Sequence, residues 1–345
     1  MSEQSLLEVR DLVVRFRTHD GAVHAVNGVS FDLATGETLG VAGESGCGKS
    51  VTNLAIVGLL PKPAGRVEGG SVKLEGRELT TLKEEELRQV RGSEIAMIFQ
   101  DPMTSLNPVL RIEEQLIETI QAHREVTKET ARARAIDLLA AVGVANPESR
   151  LRSDPHEFSG GMRQRVMIAM ALALEPRVLI ADEPTTALDV TIQAQVLDLL
   201  RRTTTERGAA LLLITHDLGV VAETADRIAV MYAGQIVETG KAASVLREPA
   251  SPYTRDLVTS VPSFAARGKK LNTITGMVPS PDAFPAGCRF APRCRYAIPA
   301  CTTAVPPLEP LKDGHLVRCI RTKEVLNGTA AGKRTAPATK RGAAR

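Results

Sequence analysis

The octapeptide GESGCGKS at residues 43–50 constrains the fold of this chain more than any other stretch, because its spacing matches a phosphate-binding P-loop. An apolar run precedes it at residues 37–43, and an apolar pattern of helical period follows it at residues 51–60. Glycines let successive backbone N–H groups turn towards phosphate oxygens, and a helix N-terminus adds partial positive charge. Lys49 is then expected to reach the β- and γ-phosphates, and the Ser50 hydroxyl to bind Mg²⁺. Because the motif is short, a chance glycine-rich turn is the alternative.

The composition is that of a soluble globular protein. The chain has 345 residues, enough for one large domain and a smaller appendage, with 43% apolar and 24% charged residues. Its formal net charge of +3 is too small to indicate nucleic-acid binding. Part of the basic excess comes from residues 326–345, a segment rich in Lys, Arg, Ala, Gly and Thr that is expected to be a disordered tail.

The sequence contains no obvious targeting or membrane-spanning segment. Its start lacks the basic region and long apolar core of a secretory signal. The longest apolar run, at residues 166–174, is well short of the roughly 20 residues that a membrane span needs. The chain is therefore expected in the cytosol, where its five cysteines indicate metal binding or incidental use in preference to stable disulfides.

Apolar strands alternate with helical segments along most of the chain. Residues 94–100, 178–184 and 210–217 each read as a buried strand, and residues 227–240 as a hairpin that turns at residues 233–234. Such alternation predicts an α/β fold with a mostly parallel sheet that is covered on both faces. The phosphate site is then expected at the carboxyl ends of its strands.

Two acidic residues end the strand at residues 178–184 and complete the predicted chemistry. Asp182 is expected to lie near the Mg²⁺ ion, and Glu183 to face the γ-phosphate, where a carboxylate can orient and deprotonate a water molecule. The alternative is a pair of solvated acids in a loop. Phe16, upstream of the P-loop, is a candidate for stacking on a nucleotide base, and a role in the strand core is equally compatible with the sequence.

Five motifs in order resemble the ABC transporter ATPase family. They are GESGCGKS, Gln100 after an apolar strand, FSGGMRQR, LIADEPTTALD and THD, and together they extend over roughly the first 260 residues. The resemblance implies a RecA-like P-loop core, an antiparallel β subdomain and a helical signature subdomain at about residues 101–175. Residues 1–260 would form this nucleotide-binding domain.

The resemblance also assigns roles to single residues. Ser159, Gly160 and Gly161 resemble the signature loop, which contacts the γ-phosphate of an ATP held by a second cassette; the family commonly has Leu at the position of Phe158. Asp189 resembles an aspartate that communicates across the cassette dimer. The resemblance implies catalysis by Glu183 and His216, Mg²⁺ binding by Ser50, Gln100 and Asp182, and ATP contacts from Phe16, Gly43, Ser45, Gly46, Gly48, Lys49, Ser50, Val51 and Gln100.

A proline-rich segment at residues 261–325 carries four cysteines, Cys288, Cys294, Cys301 and Cys319. Their spacing matches neither a common zinc ribbon nor a common ferredoxin. The chemistry alone leaves open a metal or iron–sulfur site, structural thiols, or reversible disulfides. Three arginines among them, Arg289, Arg293 and Arg295, are expected to favour thiolates.

The phrases SPYTR and PAGCRFAPRC resemble the C-terminal extension of oligopeptide/dipeptide importer ATPases. That resemblance implies a [4Fe–4S] cluster at the four cysteines, with zinc as the alternative. It implies an ATP-hydrolysing subunit at the cytoplasmic face of the membrane. The implied partners are a second, non-identical ABC ATPase subunit, two transmembrane permease subunits and an extracytoplasmic peptide-binding protein. A soluble ABC ATPase in DNA repair or translation, or a redox- or metal-sensing ATPase switch, is the competing hypothesis.

Overall fold

The computed structural model describes residues 5–18, 21–101, 105–185, 190–261 and 274–328. The strands are β1 (Ser5–Thr18), β2 (Gly21–Ala34), β3 (Thr38–Ala42), β4 (Gly65–Leu74), β5 (Arg77–Glu78), β6 (Ile95–Ile98), β7 (Val178–Asp182), β8 (Ala210–Thr215), β9 (Arg227–Tyr232), β10 (Gln235–Lys241), β11 (Glu309–Lys312) and β12 (His315–Val317). The helices are α1 (Lys49–Ile56), α2 (Glu84–Val90), α3 (Ile112–Gln121), α4 (Lys128–Ala141), α5 (Pro147–Arg150), α6 (Gly160–Leu172), α7 (Val190–Arg207), α8 (Leu218–Thr224), α9 (Ala242–Arg247), α10 (Pro252–Thr259) and α11 (Thr322–Leu326).

The larger sheet has the strand order β11-β12-β10-β9-β3-β8-β7-β6. Its central pairs, β9 with β3, β3 with β8, β8 with β7 and β7 with β6, are all parallel. The strands β3, β7 and β8 are buried along their whole length, as expected for a parallel sheet that has layers on both faces. The predicted α/β fold is therefore confirmed, and β9 and β10 form the predicted hairpin.

The smaller sheet is antiparallel, with the order β2-β1-β4-β5. Its apolar residues join one core cluster with α1 and the larger sheet, represented by Leu12, Ile56 and Ile214, which are each almost fully buried. Long strands with alternating burial are what a sheet needs when only one of its faces packs on a core. The antiparallel β subdomain predicted from the family resemblance is present in this sheet.

A second core cluster holds the helices between β6 and β7. Leu116 of α3, Leu139 of α4 and Ile168 of α6 are buried together against apolar residues of the larger sheet. Phe158, where the resembling family commonly has Leu, is buried in this cluster, so the larger side chain fills the core. Thr127 is the N-cap residue of helix α4, and its side chain accepts a hydrogen bond from the Thr130 N–H at 3.2 Å.

The cysteine-bearing segment is attached to the larger sheet. Strand β12 pairs antiparallel with β10, and β11 pairs with β12. Buried beneath this pairing, the Glu238 carboxylate accepts hydrogen bonds from the N–H groups of Ala250 and Ser251, at 2.7 and 2.8 Å, and from the His315 ring at 2.8 Å. No pattern in the sequence indicates that this segment adds strands to the sheet. The predicted domain boundaries at residues 260 and 325 stay predictions.

Two predictions fall outside the described residues, namely Asp189 and most of the basic tail at residues 326–345. In the part of the chain that is described, no helix combines the length and the apolar character needed to cross a membrane.

Glu238→Ala is expected to lower the free energy of unfolding by about 3 kcal/mol, because it leaves two buried backbone donors and a buried histidine without their acceptor. Urea unfolding followed by circular dichroism measures the effect. The matched control is Glu248→Ala, since Glu248 pairs with Lys312 at 3.2 Å and both side chains are more than half exposed. The control should change stability by less than about 1 kcal/mol. Equal effects of the two substitutions would contradict the conclusion that Glu238 stabilises the fold through its buried hydrogen bonds.

Candidate functional site

The candidate site lies where three parallel strands end side by side. Ala42 at the end of β3 pairs with Thr215 at the end of β8, and Asp182 at the end of β7 pairs with Ile214. The residues that follow these strands are the P-loop, Glu183 and His216. The parallel register therefore brings three separate sequence motifs to one edge of the sheet, as the sequence predicts.

The P-loop joins β3 to α1 through a tight turn that needs glycine. A Cβ atom on Gly43 would lie 2.2 Å from the carbonyl oxygen of Met231, so a larger residue would displace the loop from β9. Gly48 has a φ of 103° and precedes the first residue of α1. The Lys49 ammonium is held within the loop, where it donates hydrogen bonds to the carbonyls of Gly43 at 2.8 Å and Glu44 at 3.2 Å. The loop thus concentrates positive charge at the start of α1.

The other predicted P-loop contacts occupy the outer side of the turn and the first turn of α1. Ser45 and Gly46 are exposed, and Ser50 is half-buried. The Val51 side chain packs against the core, which leaves its backbone N–H at the helix N-terminus as the group available to a phosphate. Phe16 is half-buried in β1, and its ring packs on Gly65 of β4, where an added Cβ would lie 2.7 Å from a ring carbon. Its stacking on a base stays a prediction.

Asp182 is buried at 3% exposure and faces the start of α1. Burial raises the pKa of its carboxyl group, while the Ser50 hydroxyl and the Asn53 side chain act in the opposite direction. Its Oδ1 atom is buried and has no hydrogen-bond partner within the described part of the chain. A buried carboxylate oxygen of this kind, beside a serine hydroxyl, fits a hard divalent cation such as Mg²⁺.

Glu183 lies at the centre of a small polar cluster. Its Oε2 accepts a hydrogen bond from the Gln100 amide at 3.0 Å and lies 3.3 Å from the His216 Nδ1. Glu183 also has a φ of 48°, which is uncommon for a residue with a side chain and costs roughly 1–3 kcal/mol. Strain of this kind concentrates at functional sites, and here it orients a carboxylate at the edge of the sheet where the P-loop also lies. The structure thus brings Gln100, Glu183 and His216 together.

The predicted signature residues form the N-terminus of α6. The Ser159 hydroxyl caps this helix and accepts a hydrogen bond from the Met162 N–H at 3.3 Å. Ser159 and Gly160 are exposed, and Gly160 has open space on its Cβ side. A Cβ on Gly161 would lie 2.9 Å from the Ile192 side chain, so this glycine allows close packing of α6 on α7. The exposed helix N-terminus has the geometry of an anion-binding site that faces outwards.

The four cysteines Cys288, Cys294, Cys301 and Cys319 line one pocket between the cysteine-bearing segment and the sheet, and all four are free thiols. Burial raises the pKa of Cys288, and it raises the pKa of Cys294 to about 12 and that of Cys319 to about 11. Among the described residues, no group of three or more His, Cys, Asp or Glu side chains is arranged to hold a metal ion. The iron–sulfur cluster and zinc therefore remain predictions.

Of the three arginines expected to favour thiolates, Arg293 and Arg295 pair with carboxylates outside the cysteine pocket, whereas Arg289 lines it. Arg293 pairs with Glu44, and Arg295 pairs with Asp256 at 2.7 Å. Arg289 donates a hydrogen bond to the Ala233 carbonyl. Burial is the largest cause of the raised pKa of Cys288, Cys294 and Cys319.

Two further residues touch the P-loop and were not identified from the sequence. The Glu44 carboxylate forms two hydrogen bonds with the Arg293 guanidinium, at 2.7 and 2.9 Å, and the Glu44 N–H donates to the Tyr253 hydroxyl at 2.9 Å. Arg293 lies 249 residues away from Glu44 in the chain. Within one sequence, only the acidic Glu44 inside a phosphate-binding loop could have indicated a cationic partner.

Sequence relatives identify the family. The chain is 50% identical over 320 residues to the oligopeptide transport ATP-binding protein AppD of Bacillus subtilis, covering 93% of this chain and 98% of that protein. The chain belongs to the ABC transporter family of ATP-binding proteins. Residues 26–186 of this ABC ATPase match the family model described as ABC transporter, and residues 237–301 match the one described as oligopeptide/dipeptide transporter, C-terminal region.

Further comparisons agree with the fold. This ABC ATPase is 48% identical over 316 residues to the dipeptide transport ATP-binding protein DppD of Bacillus subtilis, covering 92% of this chain and 94% of that protein. A solved structure, the dimeric post-hydrolysis state of the ATP-binding cassette MJ0796 bound to ADP and Pi, aligns with a TM-score of 0.62 at 27% identity. The alignment covers 68% of this chain and 98% of that one. The RecA-like core with its antiparallel subdomain is the fold of this family.

Asp182→Asn is expected to weaken the binding of ATP in the presence of Mg²⁺ by about tenfold, because the variant loses the buried charge that would face the cation. Binding of ATP in excess EDTA should change little. Equilibrium titration under both conditions measures the difference, with Asp198→Asn as control, since Asp198 pairs with Arg202 on the exposed side of α7. An equal loss of affinity with and without Mg²⁺ would contradict a role in metal binding.

Proposed function

We propose that this chain is the ATP-hydrolysing subunit of a membrane transporter that imports di- and oligopeptides. The observation that supports it most is the match of residues 237–301 to the C-terminal region of oligopeptide/dipeptide transporters. Relatives that are about half identical over more than nine-tenths of the chain are named oligopeptide and dipeptide transport ATP-binding proteins. Neither a DNA-repair or translation ATPase nor a sensing switch receives support from these relatives.

The site geometry suggests how the residues of this chain act on ATP. The P-loop N–H groups and Lys49 bind the phosphates and offset their charge. Ser50, Asp182 and Gln100 would hold Mg²⁺, which supplies neutralising charge to the β- and γ-phosphates. Glu183 holds the attacking water through its carboxylate and accepts its proton, while Gln100 and His216 fix the direction in which that carboxylate points. Hydrolysis then depends on positioning and charge neutralisation.

A second cassette completes the site in this proposal. One chain supplies one P-loop and one signature loop, and the signature residues Ser159–Gly161 are presented outwards at the start of α6. The related cassette MJ0796 was solved as a dimer. We infer that the signature loop of this chain binds the γ-phosphate held by its partner cassette, which we take to be a non-identical relative. Asp189 would communicate between the two sites.

The permease subunits need a docking surface, and an apolar groove fits that role. It lies between β6, α3 and α6, beside Gln100, and its lining includes Leu59, Met97, Phe99 and Met170. Leu59 and Phe99 are large apolar side chains that are 40% and 39% exposed. We propose that each permease inserts a cytoplasmic helix here, so that the ATPase associates peripherally with the cytoplasmic face of the membrane. An extracytoplasmic binding protein would deliver the peptide.

We propose further that Cys288, Cys294, Cys301 and Cys319 hold a [4Fe–4S] cluster, with zinc as the alternative. Three features of the pocket support an anionic occupant with thiolate ligands. The backbone N–H groups of Tyr296 and Arg321 donate to the sulfurs of Cys294 and Cys319, at 3.3 and 3.2 Å. Arg289 and Arg318 line the same pocket, and their hydrogen bonds go to backbone carbonyls. The Arg289 Nε is buried without a partner among the described residues.

Zinc and a [4Fe–4S] cluster need different arrangements of their sulfur ligands. A single zinc ion needs all its sulfur ligands about 2.3 Å from one point. A [4Fe–4S] cluster binds each thiolate through a different iron, so its ligands stand farther apart around a larger body. The four thiols line one pocket, and analysis of iron, sulfide and zinc in the purified protein distinguishes the two occupants.

Glu183→Gln in the assembled transporter is expected to bind ATP at wild-type affinity and to lower hydrolysis by at least about a hundredfold, because the amide cannot accept the proton of the attacking water. ATPase activity and peptide uptake into vesicles should fall together. Glu223→Gln, a substitution of an exposed residue on α8, is the matched control. Continued hydrolysis by Glu183→Gln would show that another group acts as the base.

The variant Leu59→Glu tests whether the permease subunits dock in the apolar groove. This variant should keep ATP binding but lose the stimulation of hydrolysis by the membrane subunits, because a charge in the apolar groove opposes docking. Leu326→Glu is the control at a similarly exposed site, 43% against 40%. Wild-type protein that associates with DNA or ribosomes and shows no permease-stimulated hydrolysis would contradict the proposed function.

Cys294→Ser is expected to remove a brown chromophore that absorbs in the visible range, because it deletes one of the four cluster ligands. Iron and sulfide analysis of the anaerobically purified protein should fall in parallel. The control is Cys47→Ser, since Cys47 is buried in the P-loop region and lies outside the cysteine pocket. A colourless wild-type protein that contains zinc would contradict the cluster and establish the alternative.

A further inference from the structure

The cysteine-bearing segment makes a direct contact with the nucleotide-binding loop. The guanidinium of Arg293, one residue before Cys294, forms two parallel hydrogen bonds with the carboxylate of Glu44, the second residue of the P-loop motif. Two-pronged pairing of this kind fixes both distance and orientation. The Arg293 side chain is 5% exposed, so the pair is shielded from solvent on the arginine side.

Arg293 is itself held rigidly. It donates hydrogen bonds to the carbonyls of Thr275 at 3.0 Å and Gly276 at 3.1 Å, and to the Tyr232 hydroxyl at 3.3 Å. Its guanidinium also lies 5.7 Å and 5.8 Å from the ring centres of Tyr232 and Phe290. These contacts leave the arginine little conformational freedom. A rigid cation can therefore restrain the loop to which it is bonded.

A tyrosine among the aromatic residues around Arg293 makes a second contact with Glu44, through its backbone. The Tyr253 hydroxyl accepts the Glu44 N–H, and the Tyr253 ring packs 4.6 Å from that of Tyr232 and 5.3 Å from that of Phe290. Glu44 is thus fixed through both its backbone and its side chain. Both contacts come from residues that follow the last strand of the parallel core.

A further route joins the segment to the other side of the loop. Arg289, one residue after Cys288, donates to the Ala233 carbonyl in the turn between β9 and β10. The neighbouring Gly234 N–H donates to the Cys47 carbonyl of the P-loop at 2.8 Å. The two arginines beside Cys288 and Cys294 therefore support the P-loop at Glu44 and at Cys47.

Charge explains why the loop needs this support. A glutamate inside a phosphate-binding loop repels the anionic nucleotide, and a glycine-rich loop loses much conformational entropy when it becomes ordered. Pairing with Arg293 offsets the negative charge of Glu44 and directs its carboxylate towards the cysteine-bearing segment. The same pair orders the chain between the flexible Gly43 and Gly46.

We propose that Arg293 is a positioning residue of the ATP site, through which the cysteine-bearing segment holds the P-loop in the conformation that binds MgATP. This inference rests on the proposed ATP-hydrolysing function and adds to it a coupling between two parts of the chain. Because such coupling is reciprocal, MgATP binding must also stabilise the segment around Cys288 and Cys294.

The test compares MgATP affinity in full-length variants. Arg293→Gln is expected to raise the Kd for MgATP by about tenfold. The double variant Glu44→Gln/Arg293→Gln should recover a large part of that loss, because it removes the unpaired carboxylate from the loop. Arg295→Gln is the matched control and should bind MgATP like the wild type, since Arg295 pairs with Asp256 away from the P-loop. Circular dichroism and hydrogen exchange of each variant show whether the extension stays folded, which separates loss of the ion pair from unfolding.

Two results would overturn the inference. One is wild-type MgATP affinity in Arg293→Gln, and the other is a double variant that binds as weakly as Arg293→Gln alone. If Arg293→Gln does not fold, hydrogen exchange on the wild-type chain decides instead. MgATP should slow exchange of the backbone amides between residues 288 and 296, and unchanged exchange would refute the coupling. Failure of the proposed function is distinguishable, because it appears in the wild-type protein, as a loss of ATP binding or of permease-stimulated hydrolysis, and not as a difference between variants.

Discussion

The parallel pairing of β3, β8 and β7 determines where the residues of the ATP site lie. Hydrogen bonds between these buried strands align Ala42 with Thr215 and Asp182 with Ile214, so that three strands end at one level of the sheet. Each strand is followed by a polar motif, which lies beyond the end of the apolar sheet. A slip of one residue in either pairing would move a whole set of side chains to the opposite face. The P-loop, the acidic pair and His216 meet because the register of the core brings them together.

Two residues of the ATP site have features that are unfavourable for folding. Asp182 keeps a buried carboxylate oxygen without a hydrogen-bond partner among the described residues, and Glu183 has a left-handed backbone. Each feature is unfavourable on its own, by roughly 1–3 kcal/mol. The surrounding strands, which are fully buried, stabilise the fold enough to maintain both. The unfavourable groups point to the place where a cation and an anionic substrate would supply the missing interactions.

The sequence was informative wherever function or burial leaves a local pattern. Runs such as LLLIT and VLIAD predict buried strands, GESGCGKS predicts the loop, and the turn at residues 233–234 predicts the hairpin, all of which the structure contains. The sequence did not predict that His315 would join Glu238, or that Arg293 would join Glu44. These are pairs of polar residues separated by 77 and 249 positions, and no periodicity connects them. Burial raises the pKa of Cys288, Cys294 and Cys319, although the neighbouring arginines predict a lower pKa. Desolvation depends on packing, which composition does not report.

The C-terminal segment has two structural roles that depend on each other. Without β12, strand β10 would expose an unpaired edge, and the buried Glu238 would lose one of its donors. Before it reaches β12, the same segment passes the P-loop, where Arg293 pairs with Glu44. The sheet edge, the cysteine pocket and the nucleotide loop therefore share one set of contacts. A change in the cysteine pocket can affect the ATP site only if it alters the strength of these contacts. Among them, the pair of Arg293 and Glu44 contacts the P-loop motif directly.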